Sequence, residues 1–253
     1  MIKLENISKT YNLGTDHETK VFKDFNLQIK KNEFVSIIGP NGCGKSTLFN
    51  IISGNIDVDE GNIILNNTDI TKVKGYKRYK YIGRVHQNPA VGTCLNMTIL
   101  ENLALADNKT KKYNLKWGID KSRIDYYKEK LKDLELGLEN QLNTKLQNLS
   151  GGQQQAISLI MATMNPIDIL ILDEHTAALD PKTANIIMNL TEKIIKEQKI
   201  TTLMITHNLK FAVNYGNRLL VIKQGKIVLD RKEKEKEKLN TKYEELIDKF
   251  NCF

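Results

Sequence analysis

The stretch GPNGCGKST, Gly39 to Thr47, carries chemistry most plainly. It fits G-x-x-x-x-G-K-[ST] from Gly39 to Ser46, after a β-rich run (FVSII, 34–38) and before a helix-forming segment, the context that pattern needs to bind phosphate. Glycines let the backbone approach phosphate oxygens and adopt positive φ. Successive amides then form a nest for the anion. Lys45 can reach β- and γ-phosphates, and the Ser46 hydroxyl can ligate Mg²⁺. The candidate phosphate contacts are Gly39, Pro40, Asn41, Gly42, Cys43, Gly44, Lys45, Ser46 and Thr47.

Two further patterns stand roughly a hundred residues downstream. In LSGGQQQ (149–155) a serine and two glycines open an apolar, helix-like run, a helix start that can face an anion. The residues alone leave open whether Ser150, Gly151, Gly152 and Gln153 serve this chain's nucleotide or another's. ILILDE places Asp173 and Glu174 at the end of a buried strand, where open α/β sheets hold their ligands. Asp173 suits a Mg²⁺-associated role, and Glu174 a base that orients and deprotonates an attacking water. The plainer alternative is an acidic pair that caps the next helix.

The elements that must position these residues follow from periodicity. IKLENIS and VFKDFNLQIK alternate as strands, and FVSII, IDILILD (167–173) and ITTLMITH (200–207) read as buried strands. Short apolar strands alternating with helical segments predict a parallel sheet with helices on both faces. Asp180-Pro181 predicts a helix start, with Ile187, Leu190 and Ile194 on one face. Residues from roughly 98 to 165 lack β signals and read as an inserted helical subdomain. RLLVIKQGKIVLD predicts a hairpin turning at Gln224-Gly225.

Composition sets the bounds. The chain has 253 residues, 40% hydrophobic and 27% charged, a globular balance. No run approaches a membrane span, and MIKLENISKTY has no apolar core of a secretory signal. Cys43, Cys94 and Cys252 show no paired spacing, which suggests a reducing compartment. The net charge of +8 is compatible with composition bias, an anionic membrane or nucleic acid. The sign-alternating RKEKEKEK opens a solvated tail, 231–253, expected to carry a short helix.

Taken together, the phosphate loop, LSGGQQQ and ILILDE resemble the ATP-binding subunits of ABC transporters, in order and spacing, over nearly the whole chain. The resemblance implies an α/β P-loop NTPase core of RecA-like type, with an N-terminal antiparallel β subdomain and an ABC-type α-helical subdomain inserted at about 95–165. It implies a single nucleotide-binding domain over 1–230. It also implies roles for residues that mean little alone. Tyr11 stacks on adenine, Gln87 contacts Mg²⁺ and the attacking water, Asp180 communicates across a dimer, and His207 contacts the γ-phosphate. ATP and Mg²⁺ are the implied cofactors. The implied catalytic set is Lys45, Gln87, Glu174 and His207. The LSGGQ donors would serve a partner's ATP, in a homodimer formed on ATP binding.

Some positions depart from the family pattern. Cys43 stands where Ser or Ala is common, and its alkylation is expected to block ATP binding. His175 replaces a common proline and reads as structural. Ala177 replaces a frequent Ser, Gln154 a basic residue and His86 an aromatic. Within the family, DEHTAALDPKTA, LSGGQQQAISLIMAT, LKWGI and ITTLMITHNLKFAVNYGNRL resemble the ATPases of tryptophan/tyrosine-type amino-acid importers. These imply a multi-span permease, a substrate-binding lipoprotein, a position on the cytoplasmic face of the membrane and no nucleic-acid partner. A soluble ABC ATPase acting as an assembly factor is the alternative. A permease helix is expected in a groove after Gln87, with Met97, Ile99, Leu100 and Leu103 as lining or core residues.

Overall fold

The computed structural model describes residues 1–109, 111 and 118–232. The expected tail therefore lies outside the described residues, except for Arg231 and Lys232. In chain order come β1 (Ile2–Tyr11), β2 (Thr19–Ile29), β3 (Phe34–Ile38), α1 (Lys45–Ser53), β4 (Glu60–Leu65), β5 (Thr68–Asp69), α2 (Gly75–Arg78) and β6 (Ile82–Val85). Then follow α3 (Ile99–Asn108), α4 (Ile124–Lys132), α5 (Gly151–Thr163), β7 (Ile169–Asp173), α6 (Pro181–Gln198), β8 (Thr201–Ile205), α7 (Leu209–Asn214), β9 (Arg218–Lys223) and β10 (Lys226–Lys232).

The strands form two sheets. One is antiparallel, ordered β2-β1-β4-β5, and pairs Ile2 with Ile29 and Leu65. The other is ordered β10-β9-β3-β8-β7-β6, with β9, β3, β8, β7 and β6 mutually parallel and β10 antiparallel at the edge. The expected α/β core with an antiparallel β subdomain is what forms.

Side-chain alternation explains the layers. Along β7, Ile169 and Ile171 pack with Val35, Ile37, Leu203, the apolar face of α1 and the small sheet. Leu170 and Leu172 point the other way, onto α3, α5 and α6. A strand buried on both faces must be apolar throughout, which is why ILIL carries no polar residue. Ile187, Leu190 and Ile194 all face that second core, as the helical spacing predicts.

Local punctuation does much of the rest. The hairpin turns at Gln224 and Gly225, both at positive φ (47° and 70°), the geometry that suits the twist of its strands. A Cβ on Gly225 would lie 2.0 Å from the Val21 carbonyl oxygen, so only glycine fits there. Asp180 caps α6 by accepting from the amides of Lys182 and Thr183 at 3.1 Å, with Pro181 at the first helical position.

Two expectations need correction, and one left open is divided between its alternatives. The helical block is less helical than its composition suggests. Helices α3, α4 and α5 do lie between β6 and β7, but much of 133–150 is turn and 3₁₀ structure, where glycine and asparagine interrupt the apolar period. Strand β7 starts at Ile169, two residues later than the apolar run, because the amides of Asp168 and Ile169 are both held by the Tyr81 carbonyl. Of the four groove candidates, Met97 and Leu100 line a cavity of about 1290 Å³ bounded on its other side by Ile119 and Ile124. Ile99 and Leu103 are fully buried and belong to the core.

Candidate functional site

Parallel order brings the chemistry together. The loops after β3, β8, β7 and β6 leave the sheet at the same end, from strands that are consecutive neighbours. Those strand ends and the loops and helix start that follow them carry GPNGCGKST, His207, Asp173-Glu174 and Gln87. Residues scattered over 39–207 thus share one edge, where ligands bind in such sheets.

The first loop has the open backbone amides that an anion cradle needs. Gly42 and Gly44 sit at φ 76° and 105°. Gly44 is also sterically obligatory, since a Cβ there would lie 2.8 Å from Phe22 and 2.9 Å from Val21. Among the described residues, the amides of Gly44, Lys45, Ser46 and Thr47 have no hydrogen-bond acceptor, as the first turn of a helix requires. The Lys45 ammonium is buried and donates to the carbonyls of Gly39 (2.7 Å) and Pro40 (2.9 Å). A burial this deep would be costly for an ammonium without those two acceptors. Ser46 is exposed on the first turn of α1. Tyr11, at the end of β1, is tied to the same turn, with its hydroxyl 3.4 Å from Thr47 Oγ1. Cys43 is 4% exposed and packed in the core, so native alkylation must be slow rather than facile.

The carboxylate pair divides its partners. Glu174 Oε1 lies 2.8 Å from His207 Nε2, both side chains being partly open to solvent. Glu174 adopts a left-handed φ of 48°, a strained conformation for a residue with a Cβ. Its amide donates to Ile205 and its carbonyl accepts from Ala177, which together hold that strain in place. Asp173 is held differently. Its Oδ2 accepts from Arg84 Nη2 at 2.7 Å, while its Oδ1 has no partner among the described residues. Gln87 is exposed at the start of the loop that follows β6.

LSGGQ lies elsewhere. Ser150 caps α5 in a reciprocal box with Gln153, each side chain accepting from the other's amide at 3.3 and 3.0 Å. That box spends the Gln153 amide and leaves the amides of Gly151 and Gly152 without acceptors among the described residues. Gly152 abuts α6, where a Cβ would meet Thr183 Cγ2 at 2.3 Å. Hydrogen bonding lowers the Asp180 carboxyl below its usual range, the Thr183 contact first. Among the described residues, no hydrogen bond joins Ser150–Gln153 to the phosphate loop.

Three contributors escaped the sequence reading. Arg84 announces itself only as a charge in an apolar strand. Asn50 lies on α1 one turn beyond Ser46 and accepts from Arg84 at 2.8 Å. Gln155 is buried and donates to the His86 carbonyl at 3.0 Å, tying α5 to the residue before Gln87. Burial, and secondarily Arg84, push the His86 imidazole down from its ordinary value. His175 is a core residue, as expected. It is 2% exposed, 3.3 Å from Thr191 Oγ1, and lowered by burial to about 4.

Comparison with known proteins agrees with this geometry. The family model described as ABC transporter matches residues 22–177. The Tyrosine transport ATP-binding protein of Clostridioides difficile is 48% identical over 250 residues, 99% of this chain and 98% of that one. A Phosphonates import ATP-binding protein of Lactococcus lactis is 36% identical, over 91% of this chain and 92% of its own. Among solved structures, the dimeric post-hydrolysis state of an ATP-binding cassette bound to ADP and Pi superimposes with a TM-score of 0.78 at 34% identity, covering 92% of this chain and 99% of that one. CbiO1 of Clostridium perfringens, part of an ABC transporter complex, does so at 0.79 and 28% identity, covering 99% and 94%. A chain with this cradle, this carboxylate pair and these relatives belongs to the ABC transporter family, as one of its ATP-binding, ATP-hydrolysing subunits.

Proposed function

We propose that the chain energises uptake of an amino acid of the tyrosine/tryptophan class. One observation carries this reading: 48% identity, end to end, with a tyrosine transport ATP-binding protein. Import subunits among the other relatives weigh against the soluble assembly factor. No helix among the described residues is long and apolar enough to cross a membrane, so a separate multi-span permease is the proposed partner. An extracytoplasmic substrate-binding lipoprotein is the proposed source of solute, and the cytoplasmic face of the membrane the proposed location. Residues 1–230 act as a single nucleotide-binding domain, and no nucleic acid is involved.

The proposed chemistry uses the residues as placed. Tyr11 receives adenine, and the loop from Gly39 to Thr47 holds the phosphates. Lys45 turns its ammonium from two carbonyls to the β- and γ-oxygens. Glu174 takes the proton of the attacking water, with His207 orienting its carboxylate and facing the γ-phosphate. Gln87 positions the water. The donor set fits a hard divalent ion, since the Ser46 hydroxyl is exposed and Asp173 keeps one unpaired carboxylate oxygen. Mg²⁺ would be held by Ser46, Gln87 and Asp173, and when bound neutralises charge on the transferring phosphoryl group. Ser150, Gly151, Gly152 and Gln153 are proposed to face the ATP of a second copy, with Asp180 beside them at that junction. The free amides of Gly151 and Gly152 support this.

The test is affinity purification from native membranes in gentle detergent, with co-purifying chains identified by mass spectrometry. A multi-span permease with a lipoprotein that binds tyrosine or tryptophan is the expected result. A wholly soluble set of partners would overturn the transport reading, and a lipoprotein specific for another solute would overturn the amino-acid assignment.

A further inference from the structure

Arg84 is the single cation on the four parallel strands β3, β6, β7 and β8 that end at the site. Its side chain is 7% exposed. The guanidinium spans three elements. From β6, Nη2 donates to Asp173 Oδ2 (2.7 Å) at the end of β7. Nη1 donates to Asn50 Oδ1 (2.8 Å) and Ser53 Oγ (3.4 Å) on α1. Nε is buried with no partner.

A stability role explains this poorly. Burying such a pair is often no better than an apolar filling of equal volume, and an orphaned N–H adds to the cost. What the contact does accomplish lies at Asp173. It fixes one carboxylate oxygen, leaves the other open and cancels the charge. A divalent ion arriving alone meets a neutral pair. An ion arriving with a polyphosphate meets a positioned oxygen and brings its own anionic ligands.

We propose that Arg84 is a positioning residue that holds Asp173 neutralised, so that this carboxylate accepts a divalent metal only together with the nucleotide's phosphates. The proposal rests on the metal role proposed for Asp173. A fixed unit charge one carboxylate away weakens binding of a dication about ten-fold even with water's screening.

Mn²⁺ binding followed by electron paramagnetic resonance tests it on the full chain, with and without a non-hydrolysable ATP analogue. Without nucleotide, Arg84→Met should bind Mn²⁺ at least about ten-fold more tightly than the natural chain. Arg84→Lys should stay weak, because the charge is kept. The gain should vanish when Asp173→Asn is added. Should Arg84→Met fail to fold, Arg84→Gln is held to the same expectation. Unchanged nucleotide-free affinity in the folded variant, or an equal gain in the Asp173→Asn background, overturns the proposal. Mn²⁺ binding with nucleotide that ignores Asp173→Asn alone would instead overturn the metal role of Asp173.

Discussion

Replacing Glu174 by Gln separates chemistry from structure at this site. Glu174 Oε1 is 2.8 Å from His207 Nε2, and the side chains are 21% and 42% exposed. A contact this open to solvent contributes about 0–1 kcal/mol to stability. Glutamine keeps the length, and its amide oxygen can still accept from His207. Thermal stability and nucleotide affinity should therefore hardly change. What is lost is the proton acceptor. General-base catalysis contributes about 10²–10⁴-fold, or roughly 3–5 kcal/mol of barrier. The prediction is thus a contrast: a large effect on turnover beside a small one on folding. Steady-state phosphate release, a melting curve and binding of a fluorescent ATP analogue, all on one preparation, measure it. A rate within ten-fold of the natural chain would refute the base assignment. A matching loss of stability or nucleotide binding would show that the pair is structural and that the reasoning from exposure is wrong.

Other perturbations follow from the same contacts. Gly44→Ala forces a Cβ into a left-handed φ and against Phe22 and Val21, so nucleotide binding should be lost while far-ultraviolet dichroism persists. His175 stays neutral in the fold down to about 4, while the unfolded chain protonates near 6.5. Its contribution is therefore complete above pH 6.5 and lost as pH falls toward 4, roughly 3 kcal/mol over that window. His175→Gln should flatten the acid side of a denaturant-stability profile. Asp107 on α3 is buried and is held by Tyr127 on α4, by Arg123 just before α4 and by Lys111 just past α3, at 2.7–3.1 Å. Asp107→Ala should cost roughly 2–4 kcal/mol by urea titration, the lower part of that range reflecting the partial exposure of Arg123. Iodoacetamide should label Cys94, which is exposed, well before the buried Cys43.

Local chemistry was legible in the chain. The phosphate loop, the Asp180-Pro181 cap, the Gln224-Gly225 turn and the apolar strands each depend on a few consecutive residues. Their φ angles and hydrogen bonds are set by glycine, proline and capping side chains close at hand. The candidate site residues were legible too, because the phosphate loop, Gln87, Asp173-Glu174 and His207 each lie at or just after the end of a strand. Partnerships between motifs were not. Nothing in GRV says that Arg84 will meet a carboxylate 89 positions later, and nothing in DEH says that Glu174 will find His207 while His175 turns into the core. Those outcomes follow from strand order, which places β6 beside β7 and β7 beside β8. The division of the groove candidates was hidden for the same reason. Met97, Ile99, Leu100 and Leu103 are equally apolar, and only the packing of α3 decides which of them are buried. Short-range periodicity reports which residues avoid water. Long-range closure of the chain determines which of them meet, because neighbouring strands are chosen by the whole core.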